Sequence, residues 1–201
     1  SEIYGHITDL LTKASSMMYH RDNSNYKSGH VCAGSAAGLL TKVYCTMASA
    51  AMPEGTKIVV KTGAPYEMVN GKQHYRLPSA ETFEKDTVSG YTQMNSQELY
   101  AKAAEWAKKV IDGNYGPYAL TDYDDLWSAT IRNDAEFMFN IQSVNGDTKY
   151  CTHVHTYYSG YTESASSVFI VSGGWVGCTN NWYSLFDDND YRIVKGVRHT
   201  W

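Results

Sequence analysis

The sequence is poor in aliphatic residues and in proline. Ile, Leu, Val and Phe together number 36 of 201 residues, and there are only 4 prolines. So few aliphatics would suit a disordered chain. The formal charge of only −4, with 17 Tyr and 5 Trp, argues for a globular chain in which aromatic rings take the apolar role. An excess of basic residues is also missing: 17 Lys and Arg stand against 21 Asp and Glu. This excludes the basic footprint of a nucleic-acid binder. No apolar run reaches the roughly 18 residues that a membrane-crossing helix requires. The opening Ser1-Glu2-Ile3-Tyr4-Gly5-His6 has neither the basic nor the apolar stretch of a signal peptide. The chain enters helical periodicity at once, and we expect an internal fragment of a longer protein.

Motifs of catalysis are lacking too. There is no G-x-S-x-G, no H-E-x-x-H and no phosphate-binding loop. Carboxylates are plentiful enough for a two-carboxylate glycosidase, but no spacing supports one. None of Cys32, Cys45, Cys151 and Cys178 are spaced C-x-x-C, which argues against a zinc knuckle, and their pairing is open. Cys32 and Cys45 fall in or beside an alanine-rich helical stretch and are expected as buried thiols. Cys151 and Cys178 bracket a loop-rich segment that a disulfide could close in a secreted setting. His153 and His155 would share one face of a strand, but no third ligand has a telling spacing, so no metal is expected. Asp187-Asp188-Asn189-Asp190 invites a calcium reading, yet Arg192 stands where an EF-hand loop requires glycine. Asp190 and Arg192 are read instead as a structural ion pair or turn.

What is present is helical periodicity. Ile3, Ile7, Leu10, Leu11, Ala14 and Met18 recur at spacings of three and four, which predicts a helix over about 2–18. Asp22 to Gly29 marks a loop. From Ala33 to Ala48 the residues are small or apolar, which predicts a buried central helix; Gly34 and Gly38 weaken it by up to about 1 kcal/mol each and are tolerable if they are packing contacts. Residues 49–94 are punctuated by glycine and proline around one strand candidate, Ile58-Val59-Val60, and are read as an insertion. Asn95 and Glu98 form a capping-box pattern. It opens a third helix whose stripe is Leu99, Ala103, Trp106, Ala107, Val110 and Ile111, closed by Gly113. A short helix is expected at 122–127, an extended segment at 136–144, a helix at 182–186 and an extended run at Ile193-Val194. Trp106 and Trp182 are assigned to the core.

The order of these pieces carries a resemblance. Ile3 to Leu10, Ala36 to Tyr44 and Tyr100 to Ile111 resemble successive helices of SusD/RagB-like proteins. Tyr118-Ala119-Leu120, Asp122-Tyr123 and Leu126-Trp127 look like that family's turn after the third helix. Asn133 to Gln142 resembles the segment that follows, and Tyr183-Ser184-Leu185-Phe186 with Asp190 and Arg192 resembles a later signature. The family's first helices and its long C-terminal portion have no counterpart here, and 49–94 matches no family motif.

The resemblance implies a mainly α fold of tetratricopeptide-like helix pairs with long irregular loops and a few short strands. It implies one SusD-like fragment over 1–201: a helical-repeat part, 1–127, interrupted by 49–94, and a loop-rich ligand-binding part, 128–201. It further implies a lipoprotein on the outer face of a bacterial outer membrane, anchored by a lipid outside this fragment. There it would capture oligosaccharide or polysaccharide, without catalysis or cofactor, and pass it to a SusC-like TonB-dependent transporter. Two alternatives stand beside this: a structural module docking the transporter without a sugar site, and a glycoside hydrolase accessory domain.

A sugar offers apolar C–H faces and many hydroxyls. Its site therefore needs flat aromatic platforms ringed by amides or carboxylates. Tyr157, Tyr158, Tyr161 and Trp175 lie on glycine-punctuated sequence, with Asn180 and Asn181 as hydrogen-bonding candidates. The competing assignment is that these tyrosines pack the loops onto the scaffold.

Overall fold

The structure, a computed structural model, describes residues 2–62, 66–126, 135–142, 149 and 179–196. Helix α1 spans Glu2–Met17, α2 Ala33–Ala50 and α3 Ser96–Ile111. Between α2 and α3 run strands β1 (Lys57–Thr62), β2 (Tyr66–Val69), β3 (Lys72–Tyr75) and β4 (Ser79–Glu84). A single turn, α4, covers Tyr123–Leu126, and two short helices follow at Asn180–Tyr183 and Tyr191–Gly196. The chain divides into two compact units, Ser1–Ile58 with Thr82–Asn140, and Val59–Glu81 with Ile141–Trp201.

In the first unit α2 packs against both α1 and α3. Its small side chains make this possible: Ala33, Ala36, Ala37, Leu40, Met47 and Ala48 are all buried. Gly34 and Gly38 are the packing contacts that the sequence suggests. A Cβ on Gly34 would fall 2.1 Å from Tyr118 Oη, and one on Gly38 would fall 2.5 Å from Met138 Cε. Further along, Met47, Ala48 and Leu99 form a core ringed by Tyr4, Val43, Tyr44, Tyr91 and Met94. Ser96 Oγ donates to the Ala48 carbonyl at 2.8 Å and pins the start of α3 to the end of α2. The Lys102 ammonium lies 5.9 Å from the Tyr44 ring centre across the same interface.

Local signals set the ends of α3. Asn95 Oδ1 accepts from the backbone N–H groups of Gln97 (3.0 Å) and Glu98 (3.3 Å). This satisfies two donors that have no intrahelical partner. The reciprocal half of a capping box takes another form, because Glu98 Oε1 accepts from the Asn95 side-chain amide at 3.4 Å. Gly113, at φ +78°, ends the helix. The expected stripe is buried at Leu99, Ala103 and Val110, but Ile111 is exposed. On α1 the half-buried residues include Ile7, Leu11 and Ala14, with Met18 just past its end, while Ile3 and Leu10 face solvent.

The expected mainly α architecture of tetratricopeptide-like helix pairs is overturned. The described residues form a mixed α and β fold, with two small antiparallel two-stranded sheets, β1–β4 and β2–β3, in the 49–94 stretch read as a loop insertion. The β-branched Ile58, Val59 and Val60 favour extension. Asn70 (φ +51°) and Gly71 (φ +76°) form the two-residue left-handed turn that matches strand twist. The turn sets the hairpin register, pairing Val69 with Lys72, Met68 with Gln73, Glu67 with His74 and Tyr66 with Tyr75.

Three smaller expectations are also corrected. Residues 135–142 form turns and bends, not a strand. Their carbonyls are taken by side chains: Arg21 Nη1 donates to Phe137 O (2.9 Å) and Ala135 O (3.4 Å), and Ser35 Oγ donates to Met138 O. Ile193 and Val194 are helical, because Asp190 caps the turn with its side chain on the Arg192 N–H (2.9 Å). Cys32 is buried as expected, but Cys45 is exposed.

Candidate functional site

Of the residues proposed for sugar contact, Tyr157, Tyr158, Tyr161 and Trp175 lie outside the described residues, as do Cys151, Cys178, His153 and His155. Asn180 and Asn181 open the helical turn that continues into Trp182 and Tyr183. Thr179 starts that turn. Its Oγ1 accepts from the Trp182 N–H at 3.1 Å, and its carbonyl accepts from the Tyr183 N–H at 3.0 Å.

Trp182, assigned to the core from sequence, is 40% exposed. One turn of helix has no second face to bury, so the spacing of Trp182 and Phe186 brings the two rings together at the surface. Their centroids are 4.8 Å apart at 61°, an edge-to-face contact. Arg192 then lies 5.0 Å over the Phe186 ring. Asp190 fixes the guanidinium in turn, accepting from Arg192 Nε at 2.9 Å and from Nη2 at 2.6 Å. The Arg192 hydrogen bonds hold the Asp190 carboxyl below its usual range. The expected pair is present, and it anchors a chain of contacts from carboxylate to guanidinium to Phe186 to an open indole. Sequence reasoning missed Trp182 as a site residue. The usable signal was its place directly after Asn180 and Asn181.

A second polar cluster lies in the first unit, around the start of α2. Cys32 Sγ sits 3.1 Å from Tyr118 Oη and 3.5 Å from Ser35 Oγ, and the Cys32 N–H donates to Ser35 Oγ at 3.1 Å. Arg21 stacks 5.0 Å over the Tyr118 ring. Burial opposes thiolate formation at Cys32, but the hydrogen bonds from Ser35 and Tyr118 outweigh it, and the thiol is more acidic than usual. Tyr118 moves the other way: burial and the adjacent Cys32 keep its phenol protonated. A nucleophilic cysteine needs an approach for its electrophile as well as a lowered pKa. Cys32 is 2% exposed and its sulfur is engaged by two hydroxyls. The cluster locks α2 to the 115–118 turn and to 135–138, and its chemistry is structural.

Among the described residues no three His, Cys, Asp or Glu side chains converge on a point where a metal could sit. No helix of the described residues is long and apolar enough to cross a membrane. No protein-family model, no curated protein and no solved structure matches the chain.

Proposed function

We propose that this chain binds glycan without transforming it, capturing oligosaccharide at a bacterial cell surface for delivery to a TonB-dependent outer-membrane transporter. The observation that carries the binding step is the Trp182 indole, open to solvent yet held edge-on by Phe186 and, through it, by Arg192 and Asp190. A flat ring held in place loses little freedom when a pyranose stacks on it, so more of the contact energy appears as affinity. Asn180 and Asn181, the two residues before Trp182 in the sequence, are of the amide type that pairs with hydroxyls.

The transporter and the cell surface come from the SusD/RagB-like resemblance, which fits the packing in one respect. Its first four segments fall within the first unit, where Ala36–Tyr44 lies on α2, the helix that meets α1, α3, Tyr118 and Met138. The mainly α fold that the resemblance implied does not hold, so the binding step rests on the chemistry around Trp182.

The test is a panel of plant, host-mucin and microbial polysaccharides, followed for retention and for reducing-end release. Retention without release, weakened at least about tenfold in Trp182→Ala, is the expected result. Release of reducing ends would make the chain a hydrolase. Co-purification with a transporter, with no retention of any glycan, would leave only a docking module.

A further inference from the structure

The first unit holds a cleft of about 240 Å³ where α2 ends and the segment before α3 folds over it. Its walls include Ala50, Ala51, Glu54, Thr87, Tyr91 and Met94. From this we propose a second ligand site, one that takes a small organic ammonium ion such as choline or an alkylamine.

Several independent features favour a positive charge there. The cleft lies at the C-terminal end of an 18-residue helix, where the macrodipole is negative, although the Met47, Ala48 and Ser49 carbonyls already accept from the Ala51 N–H, Ser96 Oγ and the Met52 N–H. The Glu54 carboxylate stands in the same wall. Its Oε2 accepts from Thr87 Oγ1 at 2.6 Å, which ties 53–54 to 87–88 across the cleft, and among the described residues nothing bonds Oε1. Tyr91 contributes an aromatic ring, fixed edge-on against Tyr4 with centroids 6.0 Å apart, and a ring face attracts cations. Met52 and Met94 add polarisable thioethers suited to methyl or methylene groups. Among the described residues no lysine, arginine or histidine lines the cleft, so no cationic side chain in its wall competes for the carboxylate.

Size sets the other limit. The volume equals that of about eight waters at roughly 30 Å³ each. This admits a cationic head and a few carbons. The site is separate in ligand and in residues from the glycan platform, and neither proposal depends on the other.

The test is a titration of the whole chain with choline, n-butylammonium and 3,3-dimethylbutan-1-ol, the uncharged isostere of choline. Backbone amide shifts of Glu54, Thr87 and Val88 report binding. Both ammonium ions are expected to saturate these shifts in the millimolar range, with the neutral alcohol at least about tenfold weaker. Glu54→Gln, at an exposed position that leaves the fold intact, is expected to remove that preference. Thr87→Val, which frees Glu54 from its hydroxyl partner, is expected to retain it. Equal binding of alcohol and ammonium, an unchanged preference in Glu54→Gln, or no saturable shift with either cation would overturn the proposal.

Discussion

Tyr118 Oη rests 3.1 Å from Cys32 Sγ, and its ring end occupies the space a side chain on Gly34 would need. Two residues distant in sequence are thereby fitted at the head of α2. Arg21 adds a third constraint by stacking on the ring and reaching the 135–137 carbonyls. The left-handed Gly116 (φ +101°) lets this turn pass against Arg21, where any Cβ would fall 2.8 Å from the Arg21 Cβ.

Two glycine-to-alanine changes should therefore have opposite signs. In Gly34→Ala the new methyl must displace Tyr118, which Cys32 and Arg21 hold in place, so a loss of about 1–3 kcal/mol is expected. In Gly5→Ala nothing lies within 4 Å of the new Cβ, and helix propensity alone predicts a gain of about 0.5–1 kcal/mol. Denaturant unfolding of both variants checks the pair. Equal effects would mean that the Tyr118 contact is not tight.

The thiol–phenol contact has a pH signature. Folding depresses the Cys32 pKa below the ordinary 9.0, because hydrogen bonds outweigh the opposing burial. The stability it contributes is thus present above the unfolded thiol's pKa and is lost as pH falls through the folded value. Wild type minus Cys32→Ala should gain stability as pH rises toward 9.0 and be flat at lower pH. The thiolate absorbance difference between the same two proteins should titrate below the ordinary range. Tyr118→Phe, which removes a hydrogen-bond donor to sulfur, should move that midpoint upward. An unchanged midpoint would assign the acidity to Ser35 and the backbone N–H of Gly34.

Much of the first unit was legible in the sequence because its signals are local. Periodicity located α1, α2 and α3, and Asn95 and Gly113 marked both ends of α3. Gly34 and Gly38 were readable as contacts, but Tyr118 and Met138, which fill them, come from far downstream and leave no periodic trace. The hairpin was missed although Asn70-Gly71 is a strong turn signal; the surrounding glycines and prolines made the whole stretch read as loop. Alternating Phe137, Phe139 and Ile141 suggested a strand, yet side chains from 21 and 35 consume the carbonyls a ladder would use. The site was only partly readable. The Asp190–Arg192 pair follows from adjacency, whereas the exposure of Trp182 depends on a helix only one turn long.

Capping at α3 gives a prediction independent of the core. Asn95 Oδ1 accepts two backbone donors, and Asn95→Ala leaves both without a protein partner. The expected cost is about 1 kcal/mol. Asn95→Ser or Asn95→Asp should recover most of it, since either side chain can accept at the same position. Faster amide exchange at Gln97 and Glu98 in Asn95→Ala would locate the loss at the cap, and unchanged exchange there would contradict it.

The last prediction concerns Asp190, which caps the Tyr191–Gly196 turn and positions Arg192 over Phe186. Its carboxyl is held below the ordinary 3.8, chiefly by the Arg192 hydrogen bonds. A depressed carboxyl stabilises the fold above its unfolded pKa, and that contribution is lost as pH falls through the folded value. The cap should therefore survive at pH 3.8, and the Arg192 and Ile193 amide resonances should shift only in stronger acid. In Arg192→Ala the same transition should move up toward 3.8, and Phe186 should lose the guanidinium that steadies its contact with Trp182. If Trp182 is the glycan platform, that variant also weakens glycan retention while leaving the first unit's α3 cap unchanged. A transition that stays in place without Arg192 would show that the pair does not hold the turn, and the support assigned to the indole would fall with it.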